Sequence, residues 1–172
     1  MDFSNLVDSY KNIINSKLKS IYPEGPDLIK LPIHHILSGG KRFRPILCML
    51  TTDVCKGNSK DAIDIAVAIE LLHTFTLIHD DIMDKDVMRH GKKTIHNKWD
   101  DSVAILSGDG MLAIALSELS KVQKHKSLII DRFHSSLIEV CEGQALDLAF
   151  QNNNHVSIEE YIEMIENESE DW

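Results

Sequence analysis

The sequence predicts an all-α fold, a bundle of helices, on three observations. Apolar residues recur at spacings of three and four along most of the chain, where strands would alternate. Only 4 prolines and 8 glycines interrupt 172 residues. Apolar side chains make up 43% and charged ones 26% of the sequence, the composition of a chain that folds. A chain of this length buries about two-thirds of its unfolded surface, enough for a core without cross-links.

The elements follow in order. Leu6, Ile13, Ile14 and Leu18 mark an amphipathic helix over about 4–20, stopped before Pro23. A short second segment carries Leu28, Leu31, His35 and Leu37 and stops at Ser38-Gly39-Gly40, where glycine tolerates positive φ. Arg44-Pro45 restarts a helix, since proline is accepted in a first turn, and this helix ends near Cys55 before Lys56-Gly57-Asn58. Ser59 or Asp61 caps a long apolar helix to Asp84, with Ile65, Ile69, Leu72, Thr76 and Ile82 inward. Residues 89–99 lack a period and hold Gly91, the pattern of a functional loop. Helices over about 102–121 and 127–150 follow, and Ser157-Ile158-Glu159-Glu160 forms a capping box for a last helix.

Composition excludes several classes of function. A net charge of −9 argues against a nucleic-acid surface, which needs clustered cations. Cys48, Cys55 and Cys141 form no CxxC pair and lie in apolar helical stretches, as buried free thiols in a reducing compartment do. The N-terminal residues lack the basic-then-apolar order of a signal peptide, and no uninterrupted apolar run reaches the ~18–20 residues of a transmembrane span. A cytoplasmic protein is expected.

The chemistry concentrates in three segments. Asp80-Asp81-Ile82-Met83-Asp84 closes the longest apolar helix, and at 100° per residue Asp80 and Asp84 share a face about 6 Å apart, with Asp81 beside them. Three carboxylates so close repel one another unless solvent or a cation sits among them, and oxygen-only donors favour Mg²⁺ or Ca²⁺. Taken alone, such a run is more readily a solvated helix end, since short acidic runs are common in a chain with 27 acids. Gly39-Gly40-Lys41-Arg42-Phe43-Arg44-Pro45 sets three cations between glycines and a helix start, a combination suited to diphosphate. His73 lies two turns before Asp80 on the same helix face, a cation-prone imidazole or a core histidine with about equal weight.

GGKRFRP, ELLHTFTLIHDDIMD and RHGKKTIH, in this order and spacing, resemble the trans-prenyl diphosphate synthase family, the chain-elongating isoprenoid synthases. Ser107-Gly108-Asp109 and Gly143-Gln144-Ala145-Leu146-Asp147 extend the resemblance, which covers residues 30–167. It implies a helical bundle of the isoprenoid synthase type, and a Mg²⁺-dependent transferase that condenses isopentenyl diphosphate with an allylic prenyl diphosphate. Asp80 and Asp84, with Asp81, would then hold Mg²⁺ on the allylic diphosphate, and Arg89 would contact that diphosphate. Lys41, Arg44 and His73 would bind isopentenyl diphosphate, with Gln144 and Asp147 lining the same cavity. Phe75 and Thr76 would bear on product length, an aromatic at Phe75 resembling short-product members. A homodimer, or association with a full-length homologue, is implied as well.

Three departures stand out. Arg89-His90 replaces the usual arginine pair, Lys93 stands where proline is common, and Glu168-Ser169-Glu170-Asp171-Trp172 replaces a lysine-threonine pair and a second half with another aspartate-rich motif. A partial synthase domain over 1–172 is therefore expected, the first half of the bundle, with an acidic nonhelical tail at 168–172 and little activity alone. Apolar helices made for a larger bundle would expose an apolar patch. The alternatives are a noncatalytic subunit of a complete synthase and, more remotely, a helical metal phosphohydrolase using His79-Asp80 with His34, His35 or His96.

Overall fold

A helix that is apolar around most of its circumference needs neighbours on several sides, and α4 (Ser59–Met83) has them. In the computed structural model, which describes residues 2–22, 24–151 and 155–169, α4 packs against α1 (Phe3–Lys19), α3 (Phe43–Val54), α5 (Ile95–Lys98) and α6 (Asp101–Ser120). Its most extensive interface is with α6, and α2 (Asp27–Leu37) packs on α6 in turn. Pro23 and residues 170–172 of the expected tail lie outside the described residues.

The chain divides into two compact units, Met1–Lys124 and His125–Trp172. The first unit has its core in Ile14 and Leu18 of α1, Ile33 of α2, Met49 of α3, Ala66, Leu71 and Ile78 of α4, and Met111 and Leu119 of α6, all at most 2% exposed. The second unit holds α7 (Lys126–Phe150) and α8 (Ile158–Ser169), packed on each other. α8 opens with the capping box expected: Ser157 N–H donates to Glu160 Oε2 at 2.8 Å and Glu160 N–H to Ser157 Oγ at 3.1 Å. The backbone N–H and the hydroxyl of Ser157 hold the exposed Glu160 carboxyl below its usual range. The backbone stays helical through Ser169, so Glu168 and Ser169 continue α8 where a nonhelical tail was expected.

Several boundaries differ from expectation for local reasons. Asn58, one residue before Ser59 and three before Asp61, caps α4 and accepts from the N–H groups of Lys60 at 2.9 Å and Asp61 at 3.2 Å. Asp61 is instead drawn inward and accepts from the N–H groups of Gln123 and Lys124. Of the five inward positions expected on α4, Leu72 is fully buried and Ile65, Ile69, Thr76 and Ile82 are half-buried. The small side chains Ala62, Ala66 and Ala68 take the deepest places, where helices approach closely. Of the thiols, Cys48 is half-buried, and Cys55 and Cys141 are exposed. Cys55 is the residue at which α3 ends, which puts it at the surface.

Two helices, α4 and α6, are long and apolar enough by length and composition to cross a membrane. Both carry buried carboxylates, Asp64 and Glu70 on α4 and Glu118 on α6, and they pack on one another at the centre of the first unit. Lys17 of α1 lies 3.4 Å from Asp64 and 3.3 Å from Glu118, pinning the first helix across both.

Candidate functional site

The end of α4 decides where its aspartates go. Asp86 N–H donates to Asp81 C=O at 3.0 Å and Lys85 N–H to Ile82 C=O at 3.4 Å, with Lys85 at φ +58°. This is the Schellman closure, here with lysine in the left-handed position that glycine usually fills. Asp84 remains helical at the C-cap, and Asp84 N–H donates to Asp80 C=O at 2.8 Å. Asp80, half-buried, and Asp84, exposed, therefore sit one turn apart at the helix end.

Asp81 goes elsewhere. It is 1% exposed, and its Oδ1 accepts from Arg89 Nε at 2.5 Å, with Arg89 Nη2 3.6 Å from Asp86. Burial pushes the Asp81 carboxyl up, with the Arg89 guanidinium opposing that shift. One position on from Asp80 is a rotation of 100°, so the middle aspartate meets the following hairpin while its neighbours keep the outer face.

The segment expected as an aperiodic loop is ordered. β1 (Met88–Arg89) and β2 (Lys92–Lys93) pair antiparallel, Arg89 opposite Lys92, around a two-residue turn. His90 at φ +50° and Gly91 at φ +77° supply the two positive φ angles of a type I′ turn, which matches the twist of a hairpin. Thr94, fully buried, donates from Oγ1 to Asp86 C=O at 2.7 Å and folds the hairpin back. α5 follows it.

The three cations of the 39–45 segment divide. Arg42 is 5% exposed, at φ +58°, and bonds Glu70 at 2.5 Å, Asn15 Oδ1 at 3.0 Å and the Leu37 carbonyl. It belongs to the core. Lys41 is exposed, and Arg44, half-buried, turns its Nη1 toward His73 Nε2 at 3.4 Å. The His73 pKa is pushed down to about 4, first by burial and then by the charges of Arg44, Arg89 and His90. The imidazole expected as cation-prone is thus neutral at pH 7, and it reports a positive field from two basic segments 29 residues or less on either side of it in sequence.

This has a consequence for stability. His73 takes up a proton more readily in the unfolded chain, near pH 6.5, than in the folded one, so folding is fully favoured above pH 6.5 and loses support as pH falls toward 4. About 2–3 kcal/mol of pH dependence is expected from this group. Urea unfolding of wild type and His73→Gln at pH 7 and pH 4.5 checks it: the variant loses less stability on acidification.

Phe75 and Thr76 are both half-buried. The Thr76 hydroxyl donates to His73 C=O at 2.8 Å, within its own helix, and the Phe75 ring meets His79 edge-on at 4.6 Å. His79 lies 3.8 Å from Asp109, and a Cβ on Gly108 would come within 2.5 Å of its Nε2, so that glycine lets α6 approach α4 there. Gln144 and Asp147 are half-buried on α7 in the second unit, with Asp147 Oδ2 accepting from Gln151 at 3.2 Å. His34 bonds the Tyr22 carbonyl and His35 the Lys93 carbonyl, so these two of the histidines that a phosphohydrolase would gather have separate partners.

Among the described residues, no three His, Cys, Asp or Glu side chains converge as a metal cluster. Asp80 and Asp84 offer oxygen donors from two carboxylates at most. That donor set fits Mg²⁺, which takes one or two carboxylates and completes its shell with water and phosphate oxygens.

A helical bundle with an aspartate pair closing one helix and two basic segments around a half-buried histidine defines the all-α isoprenoid synthase type. A family model described as polyprenyl synthetase matches residues 26–169, and the chain belongs to that family. It is 36% identical to a short chain isoprenyl diphosphate synthase of Methanothermobacter thermautotrophicus and 38% identical to a geranylgeranyl diphosphate synthase of Methanosarcina mazei. Each comparison covers 96% of this chain, and 52% and 54% of the relative. A geranylgeranyl pyrophosphate synthetase structure from Pyrococcus horikoshii superposes with a TM-score of 0.88 at 36% identity, over 96% of this chain and 53% of that one. The chain spans about half the length of the relatives it matches.

Proposed function

We propose that the chain supplies the diphosphate-binding portion of a short-chain prenyltransferase that joins isopentenyl diphosphate to an allylic prenyl diphosphate. The geometry at His73 carries this reading: Arg44 Nη1 lies 3.4 Å from its Nε2, and burial first, then the charges of Arg44, Arg89 and His90, push the half-buried imidazole down to about 4, a setting that favours an anion. The names of the relatives support the substrate class.

In this reading Lys41, Arg44 and His73 hold isopentenyl diphosphate. Arg89, oriented by Asp81, contacts the allylic diphosphate. Asp80 and Asp84 hold Mg²⁺, which neutralises the leaving diphosphate when bound. The allylic C–O bond breaks, the double bond of isopentenyl diphosphate attacks the allylic cation, and a proton passes to the released diphosphate. The protein's share is orientation and electrostatic stabilisation. Phe75 and Thr76 bear on product length.

Exposed Ile105, Leu106 and Leu116 on α6 support a homodimer or association with a full-length homologue, as catalytic or noncatalytic partner. The free thiols accord with a reducing, cytoplasmic setting.

Titration calorimetry with isopentenyl diphosphate tests the reading. Binding that Arg44→Ala weakens by about tenfold, one charge-assisted contact, is expected. No binding, or binding indifferent to Arg44, overturns it. Incorporation of labelled isopentenyl diphosphate into farnesyl diphosphate with Mg²⁺, by the chain alone and mixed with a complete synthase, then measures activity.

A further inference from the structure

The two basic segments are bridged to each other by groups that none of the chemistry above uses. Lys92 Nζ donates to Ser38 C=O and, at 2.7 Å, lies within hydrogen-bond reach of Ser38 Oγ. Ser38 Oγ in turn donates to His35 C=O at 2.6 Å. On the same side His35 Nε2 bonds Lys93 C=O at 2.9 Å, and His35 Nδ1 lies 3.2 Å from Lys98 Nζ. The imidazole also meets the Trp99 ring edge-on at 5.4 Å, and Lys98 Nζ stands 4.5 Å from the centre of that ring.

These contacts join the last turn of α2, immediately before Gly39, to the strand opposite Arg89. Gly39 and Gly40, at φ +101° and +96°, leave the segment before Arg44 without stiffness of its own, and the hairpin has only two residues in each strand. Arg42 ties the first segment to Glu70 and Asp81 ties Arg89 to α4, and the bridge adds a direct tie between the hairpin and the end of α2.

We infer that Lys92 and His35 are positioning residues that clamp the 88–93 hairpin to the end of α2 and so set the spacing of Arg44 and Arg89 for a diphosphate. The inference rests on the anion-site reading above. Holding cations at a set spacing lowers the ordering cost of binding an anion between them.

The test uses inorganic pyrophosphate, by calorimetry on the full chain at several salt concentrations, with helicity by circular dichroism as the folding check. His35→Gln removes no cation, so an affinity loss of about fivefold with unchanged salt dependence is the expected mark of positioning. Lys92→Met is expected to lose about tenfold, and Lys92→Arg to recover most of it. Wild-type affinity in His35→Gln, with a shallower salt dependence in Lys92→Met, would make Lys92 a direct ligand and overturn the inference. Weakened binding in Arg44→Ala, with all three bridge variants like wild type, overturns it while leaving the anion site standing. Failure of the wild-type chain to bind pyrophosphate removes the site and the inference together.

Discussion

Replacing Arg42 by methionine costs about 3–5 kcal/mol of folding stability, the range for breaking a buried pair from one side. Arg42 and Glu70 are 5% and 6% exposed and bonded at 2.5 Å, and the guanidinium also holds Asn15 of α1 and the Leu37 carbonyl at the end of α2. Without it, Glu70 is left charged and uncompensated among core residues, or takes up a proton at a cost of similar size. Three helices and the 39–45 segment lose their common anchor at once. The double variant Arg42→Met/Glu70→Leu recovers most of the loss, because an apolar pair of similar volume needs no charge compensation. Urea denaturation of the three variants gives the comparison, and a loss under 1 kcal/mol in the single variant would show that the pair is not desolvated.

Asp80→Asn and Asp84→Asn each remove the Mg²⁺-dependent gain in pyrophosphate affinity, roughly a hundredfold effect if the metal supplies several kcal/mol. Asp81→Asn behaves differently. Its carboxylate is buried against Arg89, so the Mg²⁺ response persists while anion affinity falls at all Mg²⁺ concentrations, through a misplaced arginine. Calorimetry with and without Mg²⁺ separates these outcomes. Equal behaviour of the three aspartates would contradict the division of roles seen at the end of α4.

Much of this architecture was legible in the residues. The longer helices of the first unit, α5 aside, lie close to where their apolar spacing puts them, and the capping box at Ser157 is present bond for bond. The three motifs were enough to expect the family, because cations after a glycine pair and aspartates at one-turn spacing are local patterns. The hairpin at 88–93 was not legible, since two-residue strands carry no period and His90 in a positive-φ turn leaves only Gly91 as a signal. Nor could the sequence separate Arg42 from Lys41 and Arg44. All three read as cations beside glycines, and only the left-handed backbone at Arg42, with Glu70 waiting 28 residues on, sends that side chain inward.

The sequence by itself determined the helical class, the order of the motifs and the chemistry each could offer, because period and residue type are properties of short segments. Tertiary structure alone decided which of these charges the core takes in and which stay nearer the surface. It buried Asp81 with Arg89 and left Asp80 and Asp84 at the helix end, and it pushed His73 down to about 4. The reason is physical: the state of a charge depends on its solvation and on neighbours brought from elsewhere in the chain, and neither is encoded in the residues beside it.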